Sequence, residues 1–315
     1  MKGFISPSLH PFKSLLLFTV FAMAGLFIGN FLAMLLIKLF WGFGLMDISN
    51  MLARPADYPQ SRSALVLFQG VVHLVGFTIA SLMFLRVNAH RPAAFLSPRA
   101  TVPFHLLLGS AVLMLVILPA ASWLVYWNAN VDFPPFLDAF EQWAKAKEDL
   151  LRELTLELTK INTIPQLILG MVVFAVLPAI GEELAFRGIV QNELHRWWKN
   201  PHVAIWGAAI IFGAIHMQFY GVVPRIMLGV LFGYLYWWSG NIWVPIIGHF
   251  MNNGFMVLMM FLAQRRAVSI NVESTEPESL TLSLISMVLT AVLLYGLYTA
   301  FRRLPAPVEE DTSRF

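Results

Sequence analysis

Apolar residues gather into eight blocks, approximately 14–40, 63–86, 103–127, 164–186, 203–218, 222–238, 243–263 and 280–301. A helix crosses a hydrocarbon core with about 20 predominantly apolar residues. The pattern therefore predicts an all-α polytopic membrane protein with about eight transmembrane helices. One connection breaks it. Between 136 and 160, Asp138, Glu141, Glu148, Asp149, Glu153 and Glu157 alternate with Leu150, Leu151, Leu154 and Leu158 at helical spacing. That spacing predicts an amphipathic helix outside the hydrocarbon.

Composition strengthens the membrane reading. Of 315 residues, 58% are hydrophobic and 12% charged, where a soluble domain carries roughly 25% charged residues. The net charge is +3, and the basic residues sit in short clusters beside apolar blocks, which fits lipid headgroups and topology rather than nucleic acid. The lipid bilayer is the first expected partner. With no cysteine, disulfides, zinc thiolates and thiol nucleophiles are excluded. The run after Lys13 continues to about Met46, too long for a signal-peptide core, and is expected to be an uncleaved first span.

With a cytoplasmic N-terminus, alternating connections place 11 Lys and Arg residues on that side and 10 on the other. Setting aside the four basic residues of the long 128–160 connection leaves 11 against 6. Both termini are then expected in the cytoplasm. The tail after Arg303, with Pro305, Pro307 and Glu309-Glu310-Asp311, reads as disordered.

Ionisable residues at membrane depth are costly, so each is a candidate functional group. The strongest set is Glu182-Glu183-Leu184-Ala185-Phe186-Arg187, just after Pro178. Glu183 and Arg187 are i,i+4 neighbours with the acid first, the favourable order for an ion pair. Glu182 points about 100° away and is left without a local counter-charge, available for proton transfer. Two further sets lie on later helices, Phe212 to His216 and His249 to Asn253. If the helices converge, Glu182 and His216 can activate a water against a peptide carbonyl, while His249 and Asn253 donate hydrogen bonds to the oxyanion. The same Glu182, His216 and His249 also admit a catalytic zinc reading. A purely structural polar network tying helices together stays open as well. His73 and His105 have no companion at helical spacing and read as packing or interface histidines, while His10, His90, His195 and His202 read as solvated.

Glu182-Glu183-x-x-x-Arg187, Phe212-x-x-x-His216 and His249-x-x-x-Asn253, in that order on successive apolar helices, resemble the CPBP family of intramembrane proteases, also called the CAAX protease and bacteriocin-processing, or Abi, family. The resemblance covers roughly 164–263. It implies endopeptidase activity on a membrane protein or peptide substrate. Glu182 and His216 would activate water, His249 and Asn253 would stabilise the oxyanion, and Glu183 and Arg187 would give structural support. No cofactor is required on this reading, with divalent zinc as the variant. Nothing selects prenylated CaaX proteins over leader peptides or misfolded membrane proteins as substrates. The competing expectations are a non-catalytic scaffold or bacteriocin-immunity-like protein and a proton-coupled transporter, the latter disfavoured because no inverted repeat is visible. The division expected is 1–160 (N-terminal helices and amphipathic connection), 161–265 (CPBP-like catalytic core), 266–303 (last span) and 304–315 (tail), in a bacterial inner (cytoplasmic) membrane.

Overall fold

The structure, a computed structural model, describes residues 9–54, 57–58, 61–88, 92–99, 101–268 and 274–305. Every regular element among them is helical. In chain order these are α1 (Pro11–Trp41), α2 (Leu45–Ala53), α3 (Ser61–Val87), α4 (Pro92–Leu96), α5 (Phe104–Val116) and α6 (Leu118–Ala129). Then follow α7 (Asp138–Leu158), α8 (Ile164–Trp198), α9 (Pro201–Ile215), α10 (Val222–Ser239), α11 (Trp243–Gln264) and α12 (Leu280–Arg303). The protein is a polytopic all-α membrane protein.

All eight apolar blocks are helical, but fewer are independent spans. Among the described residues six helices, α1, α3, α8, α10 with the turn before it, α11 and α12, are long and apolar enough to cross a membrane. The third block is a pair, α5 and α6, bent by 47°, and counts as a seventh span if taken as one. The bend has a local cause. Pro119 has no N–H to continue the ladder, and α12 satisfies the exposed backbone. Ser286 Oγ donates to the Val116 carbonyl at 2.5 Å and accepts from Ala120 N at 3.1 Å, while Ser283 Oγ donates to Pro119 O at 2.9 Å. The fifth block is the 15-residue α9, about 22 Å long at 1.5 Å per residue and shorter than a full crossing. The expected eight spans thus become six or seven.

Small residues bring the helices close. A methyl at Gly25 of α1 would lie 2.8 Å from the Val75 carbonyl of α3, and one at Gly29 3.1 Å from Val72 Cα. That is the close backbone approach by which helices associate in lipid. The outer faces of α1 and α12 leave Phe27, Phe31, Val288 and Val292 exposed, as lipid-facing surfaces should.

Two ends of the bundle are fixed by polar contacts. At one, Arg99 donates to the carbonyls of Trp238, Ser239 and Pro305, and Arg196 donates to Leu9 O. At the other, Asn128 bonds Phe219 O and Val223 N, Gln264 bonds Ile161 N and Thr159 O, and α7 lies across the helix ends. The acidic and leucine faces of α7 match the amphipathic helix expected there. The disordered-tail expectation falls, beyond Pro305, outside the described residues, as does His90.

Candidate functional site

The centre of the bundle holds the glutamate doublet. It sits in α8 between Pro178 and a stretch of π-helix, Leu184–Gln191. A second π stretch, Leu74–Ile79, interrupts α3 just after His73, and a third, Met171–Val176, precedes Pro178. Such wide turns occur mostly at functional sites, because they re-aim side chains from an otherwise regular helix.

Glu183 is fully buried and its Oε1 accepts two hydrogen bonds, from Arg187 Nη1 at 2.7 Å and His249 Nδ1 at 2.8 Å. The i,i+4 pair expected from the sequence is present. Arg187 also donates to Gly229 O on α10 at 2.9 Å and lies over the rings of Phe212 and Phe232, at 4.9 and 5.3 Å. One turn on, Gln191 Nε2 donates to Gly233 O at 3.2 Å. Two i,i+4 side chains on α8 thereby satisfy two i,i+4 carbonyls on α10. Gly229 and Gly233 also let α9 pack against this face of α10, since a methyl at Gly229 would lie 3.0 Å from Ala209 Cβ and one at Gly233 2.7 Å from Ile205 Cγ2.

Glu182 is not the partnerless acid expected from the sequence. His73 Nε2 of α3 lies 3.1 Å from its Oε1, and His249 Nε2 lies 3.8 Å from its Oε2. His73, read from the sequence as a packing histidine, therefore belongs to the site. It stacks on Phe77 with ring centroids 4.7 Å apart. Gly181 lets α3 come near enough, since a methyl there would lie 3.0 Å from His73 Cε1 and 2.8 Å from Thr78 Oγ1. The two acids differ in access as well as partners: Glu182 is 8% exposed and Glu183 0%, so only the first can meet a reactant.

His249 spans the doublet. Its Nδ1 faces a carboxylate already paired with Arg187, and a carboxylate accepts, so the proton on that edge sits on Nδ1 and Nε2 is turned toward Glu182. The ring stacks on Phe232 at 5.0 Å, with an interplanar angle of 17°. His216, half-buried at the end of α9, has Nδ1 2.7 Å from the Phe212 carbonyl. A carbonyl only accepts, so Nδ1 carries the hydrogen and Nε2 keeps a lone pair. His216 interacts electrostatically with Glu182. Phe212 sits edge-on to both His216 and His249, at 5.0 and 6.3 Å. Its place four residues before His216 thus fixes two imidazoles and a guanidinium at once.

Asn253 Nδ2 donates to Phe174 O at 3.2 Å, and its Oδ1 accepts from Asn252 at 3.0 Å. Phe174 lies four residues before Pro178, which has no N–H to offer its carbonyl, and Asn253 supplies a donor in its place. The second amide hydrogen of Asn253 remains available. His216 and Asn253 line one cavity of about 370 Å³. A larger cavity of about 700 Å³, lined almost wholly by apolar residues of α4, α8 and α11, lies toward the other end of the bundle. Among the described residues no three His, Asp or Glu side chains are grouped to hold a metal ion. Glu182 Oε1 instead has His73 Nε2 at hydrogen-bond distance, 3.1 Å.

The remaining histidines lie away from this centre. His10 caps α1, His195 packs edge-on to Trp237 at 4.8 Å, His202 Nδ1 is 2.7 Å from Tyr234 Oη, and His105 is exposed on α5.

These features define a class: a helical membrane protein whose centre is a buried glutamate doublet bound to arginine and histidine. Comparison with known proteins points the same way. Residues 164–255 match the family described as type II CAAX prenyl endopeptidase Rce1-like. Among curated proteins the chain is similar to "Uncharacterized protein YpbD" of Bacillus subtilis (strain 168), 32% identical over 85 residues, 26% of this chain and 40% of that protein. It is also similar to "Putative membrane peptidase YdiL" of the same strain, 32% identical over 99 residues, 31% of this chain and 40% of that protein. "Membrane-embedded CAAX protease MroQ" of Staphylococcus aureus (strain USA300) is 31% identical over 86 residues, 26% of this chain and 35% of that protein. The chain thus spans about two fifths or less of the length of each of these relatives. No solved structure matches it.

Proposed function

We propose that the chain is an intramembrane endopeptidase that hydrolyses a peptide bond of a membrane-associated protein or peptide with water activated by Glu182 and His216. The observation that carries this reading is the division of labour within the doublet. Glu183 is sealed, its Oε1 bound by both Arg187 and His249, while Glu182 keeps exposed surface with His73 at hydrogen-bond distance, His249 at 3.8 Å and His216 within electrostatic reach. Glu182, held by His73, takes a proton from water as its oxygen bonds to the scissile carbonyl carbon. The His216 Nε2 lone pair accepts the other hydrogen of that water in a hydrogen bond. His249, carrying hydrogen on both ring nitrogens between the two glutamates, donates from Nε2 to the oxyanion together with the free Asn253 amide hydrogen. Glu182 then passes its proton to the amide nitrogen as the C–N bond breaks, leaving a carboxylic acid and an amine. General acid–base transfer of this kind contributes about 10²–10⁴-fold.

The family resemblance and the two relatives named as peptidases support the same reading. The Lys and Arg distribution supports both termini on the cytoplasmic side, and the bacterial relatives support a bacterial cytoplasmic membrane as the location. Purified protein in detergent micelles, incubated with membrane-tethered peptides, should release cleaved product. Glu182→Gln should lower that activity by about 10²-fold or more with an unchanged melting temperature, and EDTA should leave it intact. Wild-type cleavage by Glu182→Gln refutes the proposal. Loss of activity on chelation, restored by Zn²⁺, would replace it with the metal mechanism. A cellular phenotype preserved in both Glu182→Gln and His216→Ala would favour the scaffold or immunity role.

A further inference from the structure

At the end of the bundle held by Arg99, the ends of α9, α10 and α12 enclose a cavity of about 430 Å³ that none of the catalytic candidates lines. Arg99, His202, Trp237, Trp238, Tyr298 and Arg302 line it. Gly240 and the buried Phe301 complete the lining, which contains no Asp or Glu. We infer that this cavity binds the phosphate headgroup of an anionic phospholipid from the surrounding leaflet. No part of this depends on peptide hydrolysis.

Both arginines keep their charge. Arg99 donates from Nε to Pro305 O at 3.0 Å and from Nη1 to Trp238 O at 3.2 Å and Ser239 O at 2.5 Å. Carbonyls are dipoles rather than counter-ions, so these bonds fix the guanidinium without neutralising it, and Nη2 has no partner among the described residues. Arg302, exposed at the end of α12, donates from Nη1 to Tyr298 Oη at 2.9 Å. Its other nitrogens stay free for a ligand. His202 Nδ1 lies 2.7 Å from Tyr234 Oη, and with that hydroxyl donating to it, Nε2 carries a hydrogen to offer. Two guanidiniums with spare donors suit phosphate oxygens.

Position selects the source of the phosphate. Trp237 is 44% exposed, and Trp238 lies between Tyr234 and Tyr298 with ring centroids 5.4 and 5.2 Å away. Such amphipathic rings settle at headgroup level. Counting back along α12 from Tyr298, Tyr295, Ala291 and Val288 fall within about 80° of it around the helix, and all three are exposed. An acyl chain therefore finds an apolar stripe directly beneath its headgroup, which a free phosphate ion would leave unused. Lys13, Arg86, Arg196 and Lys199 lie at the same end of the bundle. The Lys and Arg distribution assigns that end to the cytoplasm, where leaflets carry anionic lipid and basic pockets between helices hold its headgroups.

The test is thermal unfolding of the full-length protein in nonionic detergent, titrated with phosphatidylglycerol or with phosphatidylcholine of the same acyl chains. Phosphatidylglycerol should raise the melting temperature saturably, as a ligand of the folded state does, with a midpoint at least about tenfold lower than that of phosphatidylcholine. Arg302→Gln should raise the phosphatidylglycerol midpoint about tenfold, the scale of a hydrogen bond to a charged group. Arg86→Gln, which removes the same charge at an exposed position of the same end outside the cavity, should leave it unchanged. Equal weakening by both variants, or no shift with phosphatidylglycerol, overturns the site. An equal shift from inorganic phosphate at the same concentration overturns the lipid in favour of a soluble anion. Tighter phosphatidylglycerol binding after the combined substitutions Glu309→Gln, Glu310→Gln and Asp311→Asn overturns it in favour of the chain's own acidic residues, which follow Pro305 in the sequence.

Discussion

The core around Glu183 and the leucine face of α7 meet at one cavity but are built on opposite principles. In the core, Glu183, Arg187 and His249 are each at most 3% exposed, and the charged groups are tied to one another and to helix carbonyls. On α7 most charges face outward, as in the surface pair Lys145–Glu141 at 2.5 Å, where the hydrogen bond to the Glu141 carboxylate raises the Lys145 pKa, while Glu148 turns inward to Gln218, and the contact with the cavity is made mainly by leucines. Buried ionic networks are intolerant, since removing one member strands another. Apolar walls tolerate change if volume and pattern are kept. The difference separates a rigid core from a tolerant wall.

Breaking the core should therefore have the largest effect. Arg187→Met leaves Glu183 buried with His249 alone and removes the side-chain bond to the Gly229 carbonyl, and removing one partner of a buried pair costs about 3–5 kcal/mol. Thermal unfolding in detergent should show a large fall in melting temperature, whereas Leu154→Ala should change it far less. Equal losses from the two variants would erase the contrast. Next comes Asn253→Ala. Loss of one oxyanion donor lowers kcat by about 10²–10³-fold with little change in KM. A matching loss of stability, from an orphaned Phe174 carbonyl, would mark Asn253 as structural instead. His73→Phe sharpens the comparison further. It keeps an aromatic ring against Phe77 and removes only the hydrogen bond to Glu182. A bond to a charged group contributes about 1.5–3 kcal/mol, so kcat should fall about 10- to 100-fold while the melting temperature holds.

That His73 matters was not legible in the chain. The motifs at 182–187 and 249–253 could be found because each pairs polar residues at helical spacing within one apolar block, and that at 212–216 because Phe212 and His216 share the same spacing on the block between them. His73 has no such companion. Its partner is 109 positions later, and the link depends on the missing side chain at Gly181 and on the π turn after His73, neither of which leaves a period in the sequence. The helical class and the face of α7 were legible, because hydrophobic periodicity reports burial directly. The span count was less so. Hydrophobicity marks α9 as a span, but not that it is 15 residues long, and Pro119 permits a bend without fixing the 47°. The charge count was misled in one particular: Arg187, assigned to a connection, is 1% exposed and paired inside the bundle.

The smallest effect tests how α7 is held. Gln218→Leu keeps the side chain's bulk but removes both the donor to Glu148 and the acceptor for Arg225. Glu148, Gln218 and Arg225 are only half-buried, so the bridge contributes on the scale of a single hydrogen bond, about 1 kcal/mol, and its loss should leave the fold and the Glu183 network untouched. The consequence should be local. Amide hydrogen exchange over residues 148–158 should quicken about fivefold while kcat is retained. A variant that loses kcat as well would show that the bridge orients His216 and not only α7. Polar contacts at the mouth would then belong to the rigid half of the molecule, and the boundary between rigid core and tolerant wall would lie within α7 instead of at its surface.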